Sequence, residues 1–359
     1  MVGAGPAGAA TALLLAPRYR TLLVDRADAA VERIGESLPA AARRLLRDMG
    51  LWEDFLAEGH APRFAARSLW GGPEAVLADS IHDPDGPGWH LDRVRFDAWL
   101  RRWAAERGAA VVAPAQMVAV RRVEDGWRLT LRRHGRPLTV AARFLVDAGG
   151  RAAPVVRALG HRRRAADRLV CRWCHGWASG DAGVTVTVAE PEGWWYSAPL
   201  PGGRRVLAFH SDADLPVVRG LNGVCRLLER ARGLAGLGSL LAAVGFRPEG
   251  PAGYCAAHSS FASAIGGPGW LAVGDAALAC DPLSSQGLLN ALYSAVLAAD
   301  AVGRALGGEA AAPAAYQRGM APVADAYRAH LDAWYGLERR WADRPFWARR
   351  HAGFGTREG

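Results

Sequence analysis

Residues 1–16 read MVGAGPAGAATALLLA, and this stretch predicts the fold. Gly3, Gly5 and Gly8 form the pattern G-x-G-x-x-G, and the apolar residues after them indicate a buried helix. Pro6 suits the first turn of that helix, where an amide proton is not needed. Because a helix start attracts negative charge, the stretch predicts a site for the pyrophosphate of a dinucleotide.

A second strand follows the glycine loop and ends in an acid. Residues 21–24 form an apolar run, and Asp25 and Arg26 stand at its carboxyl end. Asp25 comes 20 positions after Gly5 (25 − 5 = 20), which is about the offset at which an acidic side chain reaches a ribose hydroxyl. Loop, strand and acid together favour a nucleotide site over a glycine-rich turn without a ligand.

Two later strands also end in an acid beside glycine. Residues 144–151 read FLVDAGGR and residues 270–276 read WLAVGDA. Each apolar run delivers an aspartate, Asp147 or Asp275, at its carboxyl end, where open α/β sheets bind ligands. The pattern then turns helical near Gly287, which lets a ligand approach the backbone closely.

Composition indicates an ordinary globular protein. The chain has 359 residues, half of them hydrophobic, enough for two joined lobes. We find no apolar run that could span a bilayer and no signal peptide, and we expect a cytoplasmic location. All 44 basic residues are arginine, and clusters such as residues 162–164 have no aromatic interleaving, so despite the net charge of +9 we expect no nucleic-acid partner. The absence of lysine excludes Schiff-base chemistry.

The five cysteines are expected to be free thiols, because their number is odd and no export signal precedes them. Cys171 and Cys174 form a CxxC on a predicted strand, where positions i and i+3 point to opposite faces. We therefore expect neither a metal site nor a redox pair there.

Residues 33–39, RIGESLP, admit two interpretations. Their polar groups could face the nucleotide site, or they could form a capping turn with Ser37 as N-cap and Pro39 at the first helical position. Farther along, alternating runs between residues 184 and 210 predict an antiparallel sheet, and residues 314–350 read as helix.

Four motifs resemble the FAD-dependent monooxygenase superfamily of the para-hydroxybenzoate hydroxylase type. They are GAGPAG with Asp25 and Arg26; Arg93 with Phe96 and Leu100; VDAGGR at 146–151; and GDA at 274–276 with DPLSSQG. The resemblance implies an α/β fold, in which a glutathione-reductase-like FAD-binding Rossmann sheet carries an inserted antiparallel-sheet substrate lobe and a helical C-terminal tail. The implied FAD contacts are Gly3, Gly5, Ala7, Gly8, Asp25, Arg26, Arg93, Asp147, Gly274, Asp275, Gly287 and Leu288.

The corresponding domain organisation is discontinuous. We assign the segments to an FAD-binding domain (1–61, 89–168 and 262–312), a substrate lobe (62–88 and 169–261) and a C-terminal helical tail (313–359). Only Met1 and Val2 precede Gly3, too few for a central strand of roughly five residues. We therefore hypothesise that the start has been assigned too late, and that an upstream extension would improve FAD retention.

Several stretches resemble a narrower branch, which contains LodB-type maturation flavoproteins of quinone-cofactor oxidases, flavin halogenases and geranylgeranyl-reductase-like proteins. These stretches are GESLP, GWHLDRVRFD, GWWYSAPLP, DPLSSQGLLNALYSA and ERRWADRPFWARR. The LodB type is the nearest resemblance. Halogenases of this branch use a lysine and a W-x-W-x-I-P motif, and this chain has no lysine and reads WWY at 194–196. Halogenation is therefore disfavoured.

The resemblance implies an FAD-dependent monooxygenase that consumes NADPH or NADH and hydroxylates an aromatic substrate. That substrate is either a small molecule or a tryptophan of a partner protein. The alternatives are a prenyl-chain reductase and a non-catalytic maturation chaperone for an oxidase. The catalytic candidates are Glu36, Pro282 and Trp195, with His90 and His210 as further candidates for a general base by residue type alone. No metal is expected.

Overall fold

A computed structural model describes residues 1–179 and 183–353 of the chain. The predicted substrate lobe and tail also contain residues 180–182 and 354–359, which lie outside the described residues. The helices are α1 (Pro6–Leu15), α2 (Ala42–Asp48), α3 (Trp52–Ala57), α4 (Arg93–Glu106), α5 (Pro154–Ala158), α6 (Pro216–Gly220), α7 (Val224–Arg232), α8 (Leu237–Ala243), α9 (Gly287–Leu306), α10 (Ala312–Leu337) and α11 (Pro345–His351).

The strands pair into several sheets, of which two position the site. In chain order the strands are β1 (Leu22–Val24), β2 (Ser37–Leu38), β3 (Ala61–Arg63), β4 (Ala65–Leu69), β5 (Val76–Asp79), β6 (Gly88–His90), β7 (Ala110–Val112), β8 (Gln116–Val123), β9 (Gly126–Arg133), β10 (Arg136–Ala142), β11 (Leu145–Asp147), β12 (Arg163–Ala165), β13 (Leu169–Trp177), β14 (Val184–Glu190), β15 (Gly193–Leu200), β16 (Arg204–Asp212), β17 (Arg247–Ala256), β18 (Ser260–Ala262), β19 (Gly266–Gly267), β20 (Trp270–Ala272) and β21 (Leu278–Ala279).

A parallel sheet is assembled around the first residues of the chain. β1 pairs with β7 and β11 pairs with β20, and Val2 is bridged in parallel to both Val24 and Asp147. The amide of Val2 donates to the Val146 carbonyl at 2.9 Å, and the amide of Gly3 donates to the Val24 carbonyl at 2.8 Å. The order is therefore β7, β1, Val2, β11 and β20, with the carboxyl ends along one edge. Met1 and Val2 occupy the central place with two residues.

The glycine loop packs tightly against this sheet. Gly3 has φ +105°, and a Cβ there would lie 2.2 Å from the Ala148 carbonyl oxygen. A Cβ on Gly8 would lie 2.0 Å from the carbonyl oxygen of Gly3. Both positions therefore require glycine, because α1 crosses the strand ends at a distance that a side chain would prevent. The buried alanines and leucines of α1 pack between α4 and α9.

A large mixed sheet stands beside the parallel one. Within the described residues its order is β17, β13, β16, β15, β14, β4 and β5. Its pairs are antiparallel except that of β14 with β4, so the predicted antiparallel sheet is mixed. One face packs on α6, α7 and α8. Because side chains alternate along a strand, Cys174 lies in that core and Cys171 on the opposite face.

The C-terminal helices pack on this opposite face of the large sheet. The Nε1 of Trp347 in α11 donates to the Glu190 carbonyl at 2.8 Å, and Arg350 forms a buried ion pair with Asp212 at 2.9 Å. These contacts hold α10 and α11 over the aromatic cluster around Trp70 and Trp194. The architecture confirms the predicted α/β class with an inserted sheet and helical tail. Among the described residues, none of the helices has the length and apolarity to cross a membrane.

The capping interpretation of residues 33–39 is wrong. Ser37 lies in β2, which pairs with β6, and its hydroxyl has no hydrogen-bond partner among the described residues. The following helix begins at Ala42 after Ala41, without a side-chain cap. Pairing with β6 holds the segment extended, and a side chain in an extended strand cannot reach the amides of a helix that begins five residues later.

Candidate active site

A cavity of about 530 Å³ opens where the parallel sheet meets the large mixed sheet. One wall consists of the carboxyl ends of the parallel strands together with the starts of α1 and α9. The opposite wall is the face of the large sheet that carries Cys171, Trp194, Tyr196 and His210. The segment 31–37 lies between the two walls. The cavity therefore joins backbone-rich strand ends to a wall of aromatic and polar side chains.

The glycine loop provides the first part of the nucleotide wall. Gly3, Gly5 and Ala7 line the cavity, and a Cβ on Gly5 would meet nothing within 4 Å. No described side chain caps α1, whose first amides are thus free to bind an anion. A methyl group at Gly5 would occupy space that the folded chain leaves open. The loop fits a bound pyrophosphate.

Asp25 stands at the neighbouring strand end. Its carboxylate accepts hydrogen bonds from the amide of Ala4 at 2.6 Å and from the amide of Ala27 at 2.8 Å. Arg101 lies 3.6 Å away from the same carboxylate and donates to the Ala4 carbonyl at 2.7 Å. These contacts fix the acid at the cavity wall beside Arg26. Each carboxylate oxygen keeps a lone pair for a ribose hydroxyl.

The start of α9 belongs to the same wall of the cavity. Gly287 and Leu288 line it at the beginning of α9, which no described side chain caps. Ser285, in the left-handed conformation with φ 52°, turns the chain into this helix. Asp275 follows β20, and its side chain is 36% exposed into the cavity, with Arg151 Nε at 3.6 Å. Two helix starts and two acids along one wall fit a long dinucleotide such as FAD.

Three predicted cofactor residues shape the wall without lining it. Asp147 is fully buried, and its carboxylate accepts from the amides of Gly149, Val155 and Val156 at 2.8–2.9 Å. Burial raises the pKa of Asp147, against the effect of these amides. The other two are glycines at close approaches: Gly8 against Gly3, and Gly274 against Ala7.

Arg93 lines the cavity and holds its side segment. Its Nη1 donates to the carbonyl of Gly35 at 2.8 Å and to that of Ile34 at 3.3 Å, and Asp97 pairs with its Nε at 3.2 Å. The guanidinium at the start of α4 therefore fixes the backbone from which the next side chain, Glu36, projects.

Glu36 is a buried carboxylate at the cavity wall. Its side chain is 2% exposed and accepts from the Gly35 amide at 2.9 Å. The Nε2 of His175 lies 3.1 Å from its other oxygen, and the Nδ1 of His175 lies 2.8 Å from Glu32. Pro282 also lines the cavity, on the approach to α9. Glu36 and Pro282 thus share one space with the proposed nucleotide wall.

The structure places Trp195 away from the cavity. Its ring packs against Phe209 in the core beneath α6, α7 and α8. Since neighbouring residues of a strand face opposite sides, Trp194 and Tyr196 face the cavity instead. The prediction that Trp195 belongs to the site is therefore wrong, and Trp194, one position earlier in β15, lines the cavity instead.

The two candidate histidines differ in position. His210 lines the cavity, stacks on Trp194 with a centroid distance of 3.7 Å, and leaves its Nδ1 without a partner among the described residues. Burial lowers the pKa of His210 to about 3, so the ring is neutral at pH 7. His90 lies outside the lining and bonds to the Thr185 hydroxyl at 2.9 Å.

Several lining residues were missed from sequence. Cys255 faces the cavity beside its cross-strand partner Cys171, and Cys280 lies near the turn before α9. Arg151 donates to the Cys280 carbonyl at 3.0 Å and so ties two strand ends together. Strand alternation could have shown that Tyr196 shares a face with Trp194, but the pairing of distant strands had no local signal.

The fold and the site define a dinucleotide-binding α/β protein with strand ends and two helix starts around one cavity. The family described as FAD binding domain matches residues 1–211, and the chain belongs to this family. It is an enzyme of the FAD-dependent oxidoreductase class. This finding confirms the predicted superfamily resemblance and its cofactor, FAD.

The relatives span several chemistries. LodB of Marinomonas mediterranea, named for an inferred FAD-dependent oxidoreductase activity, is 28% identical over 98% of this chain and 96% of its own length. The flavin-dependent halogenase CmlS is 26% identical with a TM-score of 0.85, over 97% of this chain and 66% of CmlS. The peptidyl tryptophan dihydroxylase QhpG is 27% identical with a TM-score of 0.76, over 97% of this chain and 77% of QhpG.

Proposed function

We propose that this chain is an NAD(P)H-consuming monooxygenase that hydroxylates an aromatic substrate, with a tryptophan in a partner protein as the first candidate. The observation that carries the proposal is that one cavity is lined both by the dinucleotide wall and by the side chains of Trp194, Tyr196, His210 and Glu36. An aromatic substrate suits the two large rings of this wall. The likeness to QhpG, a peptidyl tryptophan dihydroxylase, supports the same choice.

In this proposal the protein binds and orients both ligands. The free amides of α1 hold the pyrophosphate, Asp25 accepts a hydrogen bond from a ribose hydroxyl, and Asp275 accepts from the ribityl chain. The amides at Gly287 and Leu288 stabilise negative charge on the ring system. Bound FAD supplies electron transfer and oxygen activation, and NADPH or NADH is the reductant.

Glu36 is the proposed proton acceptor. Its side chain projects from the segment held by Arg93, and it lines the same cavity as Tyr196. Hydroxylation of an aromatic carbon releases the proton that the new hydroxyl group replaces, and a carboxylate within reach accepts it. We expect the Nδ1 of the neutral His210 and the Tyr196 hydroxyl, both without hydrogen-bond partners among the described residues, to bind polar atoms of the substrate.

The amino-acid composition of the chain favours hydroxylation over halogenation. The chain contains no lysine, so a mechanism that uses a lysine ammonium near the substrate cannot operate. Since CmlS is a halogenase with a similar fold, the test includes chloride and bromide as competing co-substrates.

The test measures which product the FAD-loaded enzyme forms during turnover. Purified enzyme is given NADPH or NADH, oxygen and either free aromatic compounds or a tryptophan-containing partner polypeptide, and product mass is measured. A mass gain of one or two oxygen atoms with oxygen uptake supports the proposal. A halogenated product, loss of prenyl double bonds without oxygen, or stoichiometric partner binding without NADPH consumption contradicts it.

A matched pair of variants tests the cofactor wall. Asp275→Ala removes the acid that faces the cavity and should abolish FAD retention. Asp300→Ala removes an aspartate on α9 that pairs with Arg304 on the surface, and FAD should remain bound. Survival of activity in Asp275→Ala would overturn the assignment of this residue.

A further inference from the structure

Glu32, His175 and Glu36 form a hydrogen-bonded row from the protein surface to the cavity. Glu32 Oε1 lies 2.8 Å from His175 Nδ1, and His175 Nε2 lies 3.1 Å from Glu36 Oε1. The side chains are 50%, 5% and 2% exposed in that order. The row therefore begins at a carboxylate in contact with water and ends at a carboxylate that is buried at the cavity.

Two parts of the chain that are far apart in sequence build this row. His175 projects from β13 on the same face as Cys171, which lines the cavity. The two acids come from the segment before β2, whose backbone is fixed by Arg93. Arg204 in β16 donates to Glu32 at 2.7 Å and so holds the outer carboxylate in place.

The buried position of Glu36 creates a need for such a row. A bound dinucleotide and an aromatic substrate would fill most of a 530 Å³ cavity and exclude water from it. A carboxylate that accepts a proton there must release it before the next turnover. In the described part of the chain, the hydrogen-bond partners of the Glu36 carboxylate are the Gly35 amide and His175.

We propose that His175 and Glu32 carry protons between Glu36 and solvent during turnover, an inference that rests on the proposed function of Glu36. In proton release, the O–H bond of Glu36 breaks as Nε2–H forms on His175. The Nδ1–H bond breaks as Glu32 is protonated, and Glu32 passes the proton to water. Proton uptake reverses each step, no electrons are exchanged, and His175 and Glu32 act through Glu36.

The charges around His175 suit this role. Burial opposes a charged ring, but the hydrogen bonds and charges of Glu36 and Glu32 outweigh it and raise the pKa of His175. Burial would also raise the pKa of Glu32, whereas its hydrogen bonds to Arg204 and His175 lower it. Glu249, the cross-strand partner of His175 in β17, pairs with Arg204 at 3.6 Å, and among the described residues the ion pairs of the His175 ring are with Glu32 and Glu36.

The experiment measures the titration of His175 and the turnover of the FAD-loaded enzyme. Histidine-labelled protein is titrated by NMR, and the resonance is assigned by its loss in His175→Gln. The test variants are Glu32→Gln and Glu36→Gln, and Glu249→Gln is the matched control. We expect the pKa of His175 to fall in both test variants and to stay near the wild-type value in the control. This arm needs no substrate.

Turnover provides the second readout. Glu32→Gln and His175→Gln keep hydrogen-bonding groups but interrupt transfer, so kcat should fall ~10-fold or more with FAD content and KM unchanged. The solvent deuterium isotope effect on kcat should increase, and Glu249→Gln should match wild type. Unchanged kcat and isotope effect in Glu32→Gln overturn the relay. A wild-type enzyme without hydroxylated product refutes the proposed function instead, and the NMR titration then decides whether the row is coupled: a His175 titration independent of both acids overturns it.

Discussion

Gly5→Ala and Gly8→Ala should separate cofactor binding from folding. At Gly5 an added Cβ meets nothing within 4 Å, and the residue lines the cavity. Its backbone, with φ −72° and ψ −177°, is open to alanine. At Gly8 the same methyl group would lie 2.0 Å from the Gly3 carbonyl oxygen and 2.9 Å from the Ala148 Cβ. The two substitutions are chemically identical and three positions apart.

The structure gives each variant a different magnitude. In Gly5→Ala the loss of unfolded-state entropy stabilises by about 0.4–1 kcal/mol, and the poorer N-cap offsets a similar amount. The apoprotein Tm should therefore move by no more than about 2 °C. A methyl group in the FAD space costs about 1–3 kcal/mol of binding, which weakens Kd about 5- to 150-fold. Gly8→Ala forces the backbone apart, and the Tm should fall on the order of 5 °C or more.

The assay is thermal unfolding of both apoproteins, followed by FAD titration through quenching of flavin fluorescence. Gly5→Ala should give a native Tm with weak FAD binding, and Gly8→Ala should give a lowered Tm. Equal losses of Tm in the two variants would refute the assignment of Gly8 to packing and Gly5 to the ligand. Unaltered FAD affinity in Gly5→Ala would show that the pyrophosphate lies elsewhere.

Four further variants test other parts of the molecule. Trp195→Ala should cost about 3–5 kcal/mol of unfolding free energy by leaving a cavity in the far core, whereas Trp194→Phe should change substrate KM more than the urea midpoint. Asp212→Asn should cost about 3–5 kcal/mol, because it leaves the buried Arg350 without its anion, and α11 should become protease-sensitive. Burial raises the pKa of Asp281 to about 7, above its value in the unfolded chain. The protonated carboxyl group therefore contributes to the free energy of unfolding below the unfolded pKa, and this contribution is lost as the pH rises through about 7. Asp281→Asn should flatten this pH dependence, as measured by calorimetry.

The cofactor side of the fold was predictable because its signals are local. The signals are the spacing of Gly3, Gly5 and Gly8 and the offset from Gly5 to Asp25. All of these residues belong to one short stretch of chain, in which the local structure depends on residues that are close in sequence. Pro6 was likewise expected in the first turn of the buried helix, and α1 begins at Pro6. The central strand was harder, since two residues supply it through hydrogen bonds to strands on either side.

The substrate side was less predictable because its wall depends on register. The register of β15 determines whether Trp194 or Trp195 faces the cavity, because a shift of one residue exchanges the two faces. This register is fixed by pairing with the neighbouring strands β14 and β16. His175 illustrates the same limit. Its neighbours in sequence suggest only a strand, and the two acids that bond to it come from a segment more than 130 residues earlier.

The two walls of the cavity are formed by different parts of the fold, which explains how similar folds support different chemistries. The nucleotide wall consists of backbone amides and strand ends, whose positions follow from the fold. The opposite wall consists of side chains on the large sheet, and these can change without disturbing the strand pairing. In this chain that wall presents the Tyr196 hydroxyl and the His210 Nδ1, both buried and without partners among the described residues. An unpaired buried polar group costs about 1–3 kcal/mol. A ligand that forms hydrogen bonds to both atoms would remove this cost, whereas a purely apolar ligand would not. Under the proposed function, we therefore expect Tyr196 and His210 to contribute to recognition of the aromatic substrate.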